Sequence, residues 1–251
     1  MSGHSKWKTI QHKKGAADAK RGKIFSKLSK ELMLCAKSGG GNPDHNPSLR
    51  TLISKARSSN MPMENVDRAI KKGTGELKDD TVLEEVMYEG FAGGGVALVV
   101  SVLTDNKNRA AAEVRHVFTK CGSNLAAQNA VSRNFKRKGQ IMVDASTIDE
   151  DKLMAIALDA GAEDMSTEDG VHEIITDPAA YGAVVDALEK AGVKTASSEI
   201  TLIPDAYVTV TDKATASSVM KFIEMLDDIE DVQNVYTNLD VPESVLKELE
   251  T

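Results

Sequence analysis

At 251 residues with 41% hydrophobic and only 4% aromatic residues, the chain is too long for one small domain and too apolar for wholesale disorder. The shortage of aromatics excludes a surface built mainly of base-stacking platforms, and the longest apolar-rich run, 96–103, is too short to span a bilayer. The net charge of −7 hides a segregation: residues 1–80 hold 17 Lys/Arg against 8 Asp/Glu, 81–138 hold 8 against 5, and 139–251 hold 6 against 25, so one end favours polyanions and the other repels them.

In chain order, the first dozen residues, with Lys6 and Lys8 and then Lys13 and Lys14 close behind, read as an extended basic arm. A helix over 16–37 follows. Phe25, Leu28, Leu32, Cys35 and Ala36 share its apolar face, and Lys20, Lys23, Lys27, Lys30 and Lys37 form a cationic ridge nearly opposite. Three glycines at 39–41 end it, and Pro47 or Ser48 starts a second helix with Leu49, Leu52, Ile53 and Ala56 inward. After Asn60-Met61-Pro62 a third short helix turns Val66, Ala69 and Ile70 inward and is expected to stop at Gly73. A linker over 71–76 then places a domain boundary near residue 80.

Beyond it the period changes. Strands over 82–91 and 96–103 form a hairpin through 92–95, and a helix over 106–120 is expected to be capped by Thr104 or Asp105. Residues 127–137 read as another strand. The segment 139–203 runs strand, helix, two strands, helix, strand, the split βαβ order of a ferredoxin-like unit. A strand at 207–210, a helix at 214–226 and a strand at 232–236 supply the second half of the unit begun at residue 82, followed by a short terminal helix over 241–251. The expected fold class is therefore α+β with three domains. A small helical domain, 1–80, precedes two ferredoxin-like α/β domains, and the acidic unit 139–203 is inserted in the one formed by 81–138 and 204–251.

Lys6, Lys8, Lys13, Lys14, Lys20, Arg21, Lys23 and Lys27 supply phosphate neutralisation, His4 and His12 add hydrogen bonds, and Trp7 either stacks on a base or tucks into the helical core. Lysine dominance suits backbone contact more than base reading, which favours arginine. A second basic cluster, Arg133, Lys136, Arg137 and Lys138, either extends this track or is a solvated turn, the latter being favoured. No catalytic or cofactor signature emerges: the glycines around 90–95 lack phosphate-loop spacing, the five histidines form no zinc pattern, and Asp227-Asp228-Ile229-Glu230-Asp231 reads as a solvated acidic turn. Cys35 and Cys121, at helix core positions and without CxxC spacing, fit a reducing cytosol. The expectation is a soluble, cytoplasmic, non-enzymatic protein without metal or cofactor. An enzyme site hidden between domains is the remaining alternative.

Gly3-His4-Ser5-Lys6-Trp7, Lys13-Lys14, the run Asp18-Ala19-Lys20-Arg21-Gly22-Lys23-Ile24-Phe25 and Asn60-Met61-Pro62 closely resemble the YebC/PmpR family, as do Tyr88-Glu89-Gly90, Thr104-Asp105-Asn106, Asn108-Arg109, 131–139 and Ile203-Pro204. The family includes a mitochondrial translational activator of cytochrome c oxidase. The resemblance spans essentially the whole chain and implies three domains, with Lys6, Trp7, Lys8, His12, Lys13, Lys14, Lys20, Arg21 and Lys23 as nucleic-acid contacts. It implies a DNA-binding transcriptional regulator. The alternative, which other members resemble, is a ribosome-associated factor bound to ribosomal or transfer RNA that assists synthesis of proline-rich stretches. The acidic insert is expected to face away from nucleic acid or to meet a basic protein partner.

Overall fold

A computed structural model describes residues 18–78, 82–168 and 170–249, with side chains from Arg21 onward. The chain falls into two compact units, Arg133–Ala206 and a larger one that combines the described residues before Arg133 with those after Ala206.

The larger unit opens with three helices, α1 (Asp18–Gly39), α2 (Pro47–Ser58) and α3 (Met63–Thr74). Leu28, Leu32, Leu49, Ala56, Met61, Val66 and Ala69 close one small core between them, with Phe25 and Cys35 packed at its edge. Asn46 caps α2 by accepting from the Leu49 amide at 3.1 Å, and its amide nitrogen donates to the carbonyls of Cys35 and Gly40. One side chain thus fixes the α1–α2 turn. Gly73 does not end α3, contrary to expectation. It lies within the helix, where a β-carbon would strike the Met33 carbonyl and the Ala36 methyl, so its role is to let α3 cross α1 closely. The stop is Gly75, left-handed at φ 79°.

Strands β1 (Glu84–Phe91) and β2 (Ala97–Thr104) form the expected antiparallel hairpin, and β8 (Val232–Thr237) joins the far side of β2. Helices α4 (Lys107–Lys120) and α7 (Lys213–Asp227) cover one face of this β1-β2-β8 sheet. Leu98, Val100, Val102, Val114, Phe118, Phe222 and Ile223 fill the space between, with Phe118 and Phe222 edge-to-face at 4.9 Å. The cap of α4 is Asn106, which accepts from the Arg109 amide; Thr104 and Asp105 are committed elsewhere. Cys121 is the exposed residue at the α4 C-cap, not a core position. Strand β7 (Val208–Thr209) pairs in parallel with β9 (Leu239–Asp240) outside the three-stranded sheet, and α8 (Glu243–Leu249) follows.

The segment 127–137 is not one strand. Its amides at Asn129, Val131 and Ser132 all donate to the Glu89 carboxylate, leaving them no ladder to join. Asn129 takes a left-handed φ of 64°, and strand geometry begins only at Phe135.

The smaller unit contains β3 (Phe135–Asp144), α5 (Glu150–Asp159), β4 (Ala162–Glu168), β5 (Val171–Thr176), α6 (Tyr181–Lys190) and β6 (Thr195–Pro204). The strands lie in the order β4-β5-β3-β6 with every neighbour antiparallel, the ferredoxin-like arrangement. Ile141, Val143, Leu153, Ile174, Val184 and Leu188 form its core. Asp149 caps α5, its side chain accepting from the Lys152 amide. Strand β3 starts four residues before the expected edge of the insert.

Candidate nucleic-acid interface

The cationic ridge of α1 exists, and the larger unit already occupies it. Lys23, Lys27 and Lys30, spaced four and three apart on one face, meet the C-terminal end of α7 and the turn beyond it. Lys23 donates to an Asp228 carboxylate oxygen at 2.9 Å and to its main-chain carbonyl at 3.0 Å. Lys27 treats Asp227 the same way, at 2.7 and 3.0 Å. Lys30 reaches Asp231 at 2.7 Å and the Glu230 carbonyl at 3.4 Å. The last carbonyls of a helix lack intrahelical donors and carry partial negative charge, so the three ammonium groups satisfy α7 as well as pairing its acids. The 227–231 turn is therefore a docking element for α1 and not the solvated turn the sequence suggested.

Asp231 anchors this contact. Its side chain is only 3% exposed, and it accepts from Lys30 on one oxygen and from Thr104 (2.9 Å) and Arg109 (2.7 Å) on the other. Arg109 also reaches Asp105 at 2.7 Å. Burial pushes the Asp231 carboxyl up, but the hydrogen bonds from Lys30, Arg109 and Thr104 outweigh it and hold the group below its ordinary range. The same carboxylates hold the Arg109 guanidinium firmly protonated. In the sequence, Thr104 and Asp105 stand out as candidate helix caps and the block Thr104–Arg109 as a family resemblance, and neither points to Asp231. The available signal was a lysine ridge and an acidic run of matching charge, two hundred residues apart.

Between α1, α3, α4 and this turn lies a cleft of about 560 Å³, lined among others by Ser26, Asn65, Arg68, Lys72, Glu113 and Glu230. The polar face of α3 looks into it. Elsewhere on the helices Arg21, Lys37, Arg57 and Lys71 are exposed.

Of the residues singled out from the sequence, Lys6, Trp7, Lys8, His12, Lys13 and Lys14 lie outside the described residues, as does the side chain of Lys20. Arg21 is exposed at the start of α1, and Lys23 and Lys27 are drawn into the ion pairs above. The second basic cluster is not a turn: Lys136 and Lys138 lie on β3 and pair with Asp205 and Glu163 of the same unit, while Arg133 and Arg137 are exposed. Among the described residues no three His, Cys, Asp or Glu side chains converge to hold a metal, and no helix is long and apolar enough to cross a membrane.

Residues 5–76 match the family model described as the TACO1/YebC protein N-terminal domain, and 83–239 match that of the TACO1/YebC second and third domain. A protein of Desulfatibacillum aliphaticivorans named "Probable transcriptional regulatory protein" is 53% identical over 99% of this chain and 100% of its own length. A like-named protein of Treponema denticola is 52% identical over 97% of this chain and 98% of its own. The crystal structure of a conserved hypothetical protein from Aquifex aeolicus superposes with a TM-score of 0.81 at 48% identity, covering 90% of this chain and 93% of that one.

Proposed function

The chain belongs to the TACO1/YebC family, and from that premise we propose that it is a non-enzymatic regulatory protein that binds nucleic acid through its basic N-terminal module. The observation that carries this reading is the concentration of 17 Lys/Arg in the first 80 residues of a chain whose net charge is −7. The contacts run from Lys6, Trp7, Lys8, His12, Lys13 and Lys14 through Lys20 and Arg21 to Lys23 and Lys27. The names of the relatives support a role in transcription, with DNA as the ligand.

A second reading, RNA bound in translation, is favoured by one observation. Asn65, Arg68 and Lys72, the polar face of α3, line a cleft against α4 and the acidic turn instead of projecting as a recognition helix for a major groove. Such a module grips backbone more readily than it reads bases.

Two measurements test these readings. Replacing Lys13, Lys14 and Lys20 with Glu leaves the described ion pairs untouched and is expected to weaken binding to labelled duplex DNA or RNA by roughly a hundredfold or more. Unchanged affinity for both would remove the basic module from the account. Sedimentation of the chain from gently lysed cells, with and without RNase, separates the ligands. Release from a ribosomal fraction by RNase supports translation, and persistence with chromosomal DNA supports transcription.

A further inference from the structure

We infer that the acidic turn 227–231 is a built-in competitor for phosphate, which covers the α1 ridge in the free chain and yields its outer two lysines when a polyanion binds; this rests on the nucleic-acid reading above. Three facts carry it. The acceptors offered to Lys23, Lys27 and Lys30 are carboxylates at 2.7–2.9 Å, the same chemistry a phosphodiester offers an ammonium group. Each lysine holds one acid, in register along the ridge, so a polyanion laid along α1 must displace the turn pair by pair.

The third fact is a gradient of exposure. The side chains of Lys23 and Asp228 are 44% and 64% exposed, those of Lys27 and Asp227 15% and 41%, and those of Lys30 and Asp231 18% and 3%. Among the acids exposure falls steadily inward, and the Lys23–Asp228 pair, exposed on both sides, contributes little and exchanges readily, whereas Lys27 is as enclosed as Lys30 and is loosened only through its part-exposed acid. The inner pair is tied further to Arg109 and Thr104 and cannot open without stranding a buried carboxylate. The turn therefore acts as a clasp with a fixed inner end and a loose outer end. The loose end lies at the N-terminal end of α1, two residues after exposed Arg21. A polyanion held by the arm is presented at high local concentration to Lys23 and Lys27. While the clasp is closed, the apparent affinity is lowered by the fraction of chains in the open form.

The test is the affinity of the full chain for a labelled mixed-sequence duplex DNA and for an RNA of equal length, at fixed salt. Asp228→Asn alone and together with Asp227→Asn are compared with Glu230→Gln. The last removes the same charge from the same turn, but Glu230 meets the ridge only through its main-chain carbonyl. The clasp predicts a rise of about 2- to 30-fold for the double variant, a smaller rise for Asp228→Asn and less than about twofold for Glu230→Gln, with the melting temperature confirming that each variant folds. Equal effects from Asp228→Asn and Glu230→Gln would reduce the result to net charge and overturn the clasp, as would unchanged or weakened binding. If the unaltered chain and all variants bind neither probe, the nucleic-acid reading itself fails, and the competitor role fails with it.

Discussion

Asp231→Ala is expected to destabilise the larger unit by about 3–5 kcal/mol, because it leaves the largely buried Lys30 ammonium and the Thr104 hydroxyl around an emptied site, while Arg109 keeps Asp105. A unit of this size would then melt roughly 6–20 °C lower. Asp231→Asn should recover little, since in either orientation the amide NH₂ would face a cationic donor, Lys30 or Arg109, where a carboxylate oxygen now accepts. The pH dependence carries a sign. The folded-state pKa of Asp231 lies below its ordinary 3.8, so its contribution is complete above that value and is lost as pH falls from there through the depressed folded value. Thermal melts from neutral pH down through this acid range check both statements. The difference between the natural chain and the alanine variant should narrow at the acid end.

Glu89→Ala should cost about 4 kcal/mol or more, for a different reason. The Glu89 side chain, buried at the end of β1, accepts from the amides of Asn129, Val131 and Ser132 and from the Ser132 hydroxyl at 2.7–2.9 Å. Its main-chain carbonyl also accepts from the Ala126 amide. Removing the carboxylate orphans three main-chain donors at once, each expensive to leave unsatisfied. It also releases the loop that carries the buried Val131 side chain. Burial raises the Glu89 pKa, but those hydrogen bonds from Ser132, Val131 and Asn129 outweigh it, so the net shift is downward from 4.5. This stabilisation is therefore full above about pH 4.5 and is lost as pH falls through the folded value. Urea unfolding followed from neutral pH into that range gives the test. A loss under 1 kcal/mol at neutral pH would mean that water replaces the carboxylate without penalty.

Most helices were legible because their apolar residues recur at helical spacing. Leu28, Leu32 and Ala36, or Val114, Val117 and Phe118, can face only one core. The ferredoxin-like order of the smaller unit was legible from its alternation of strand and helix segments. What escaped the sequence was tertiary. Gly73 carries the composition of a stop signal, and only the nearby Met33 carbonyl makes it a packing residue. Residues 127–132 have a plausible strand composition but yield their amides to a carboxylate some forty residues earlier. The ridge of α1 is the instructive case for the site. Its lysines are legible as one charged face, but phosphate was the partner expected of them and solvent that of the acidic turn, because periodicity does not report what lies opposite.

This changes how the basic module is viewed. Part of the positive charge in the first 80 residues holds α1 to the acidic end of α7. The turn at 227–231 occupies the ridge first, one acid to each lysine.

A chain that grips nucleic acid by its phosphates must bind it in a salt-dependent way. Fluorescence anisotropy of the full chain with labelled mixed-sequence duplex DNA, and with RNA of equal length, should show binding to at least one of them. With six to ten phosphate contacts, its affinity should fall by roughly 10³–10⁵ between about 50 and 200 mM salt. Absence of binding to both at the lower salt, or an affinity indifferent to salt, would contradict the account.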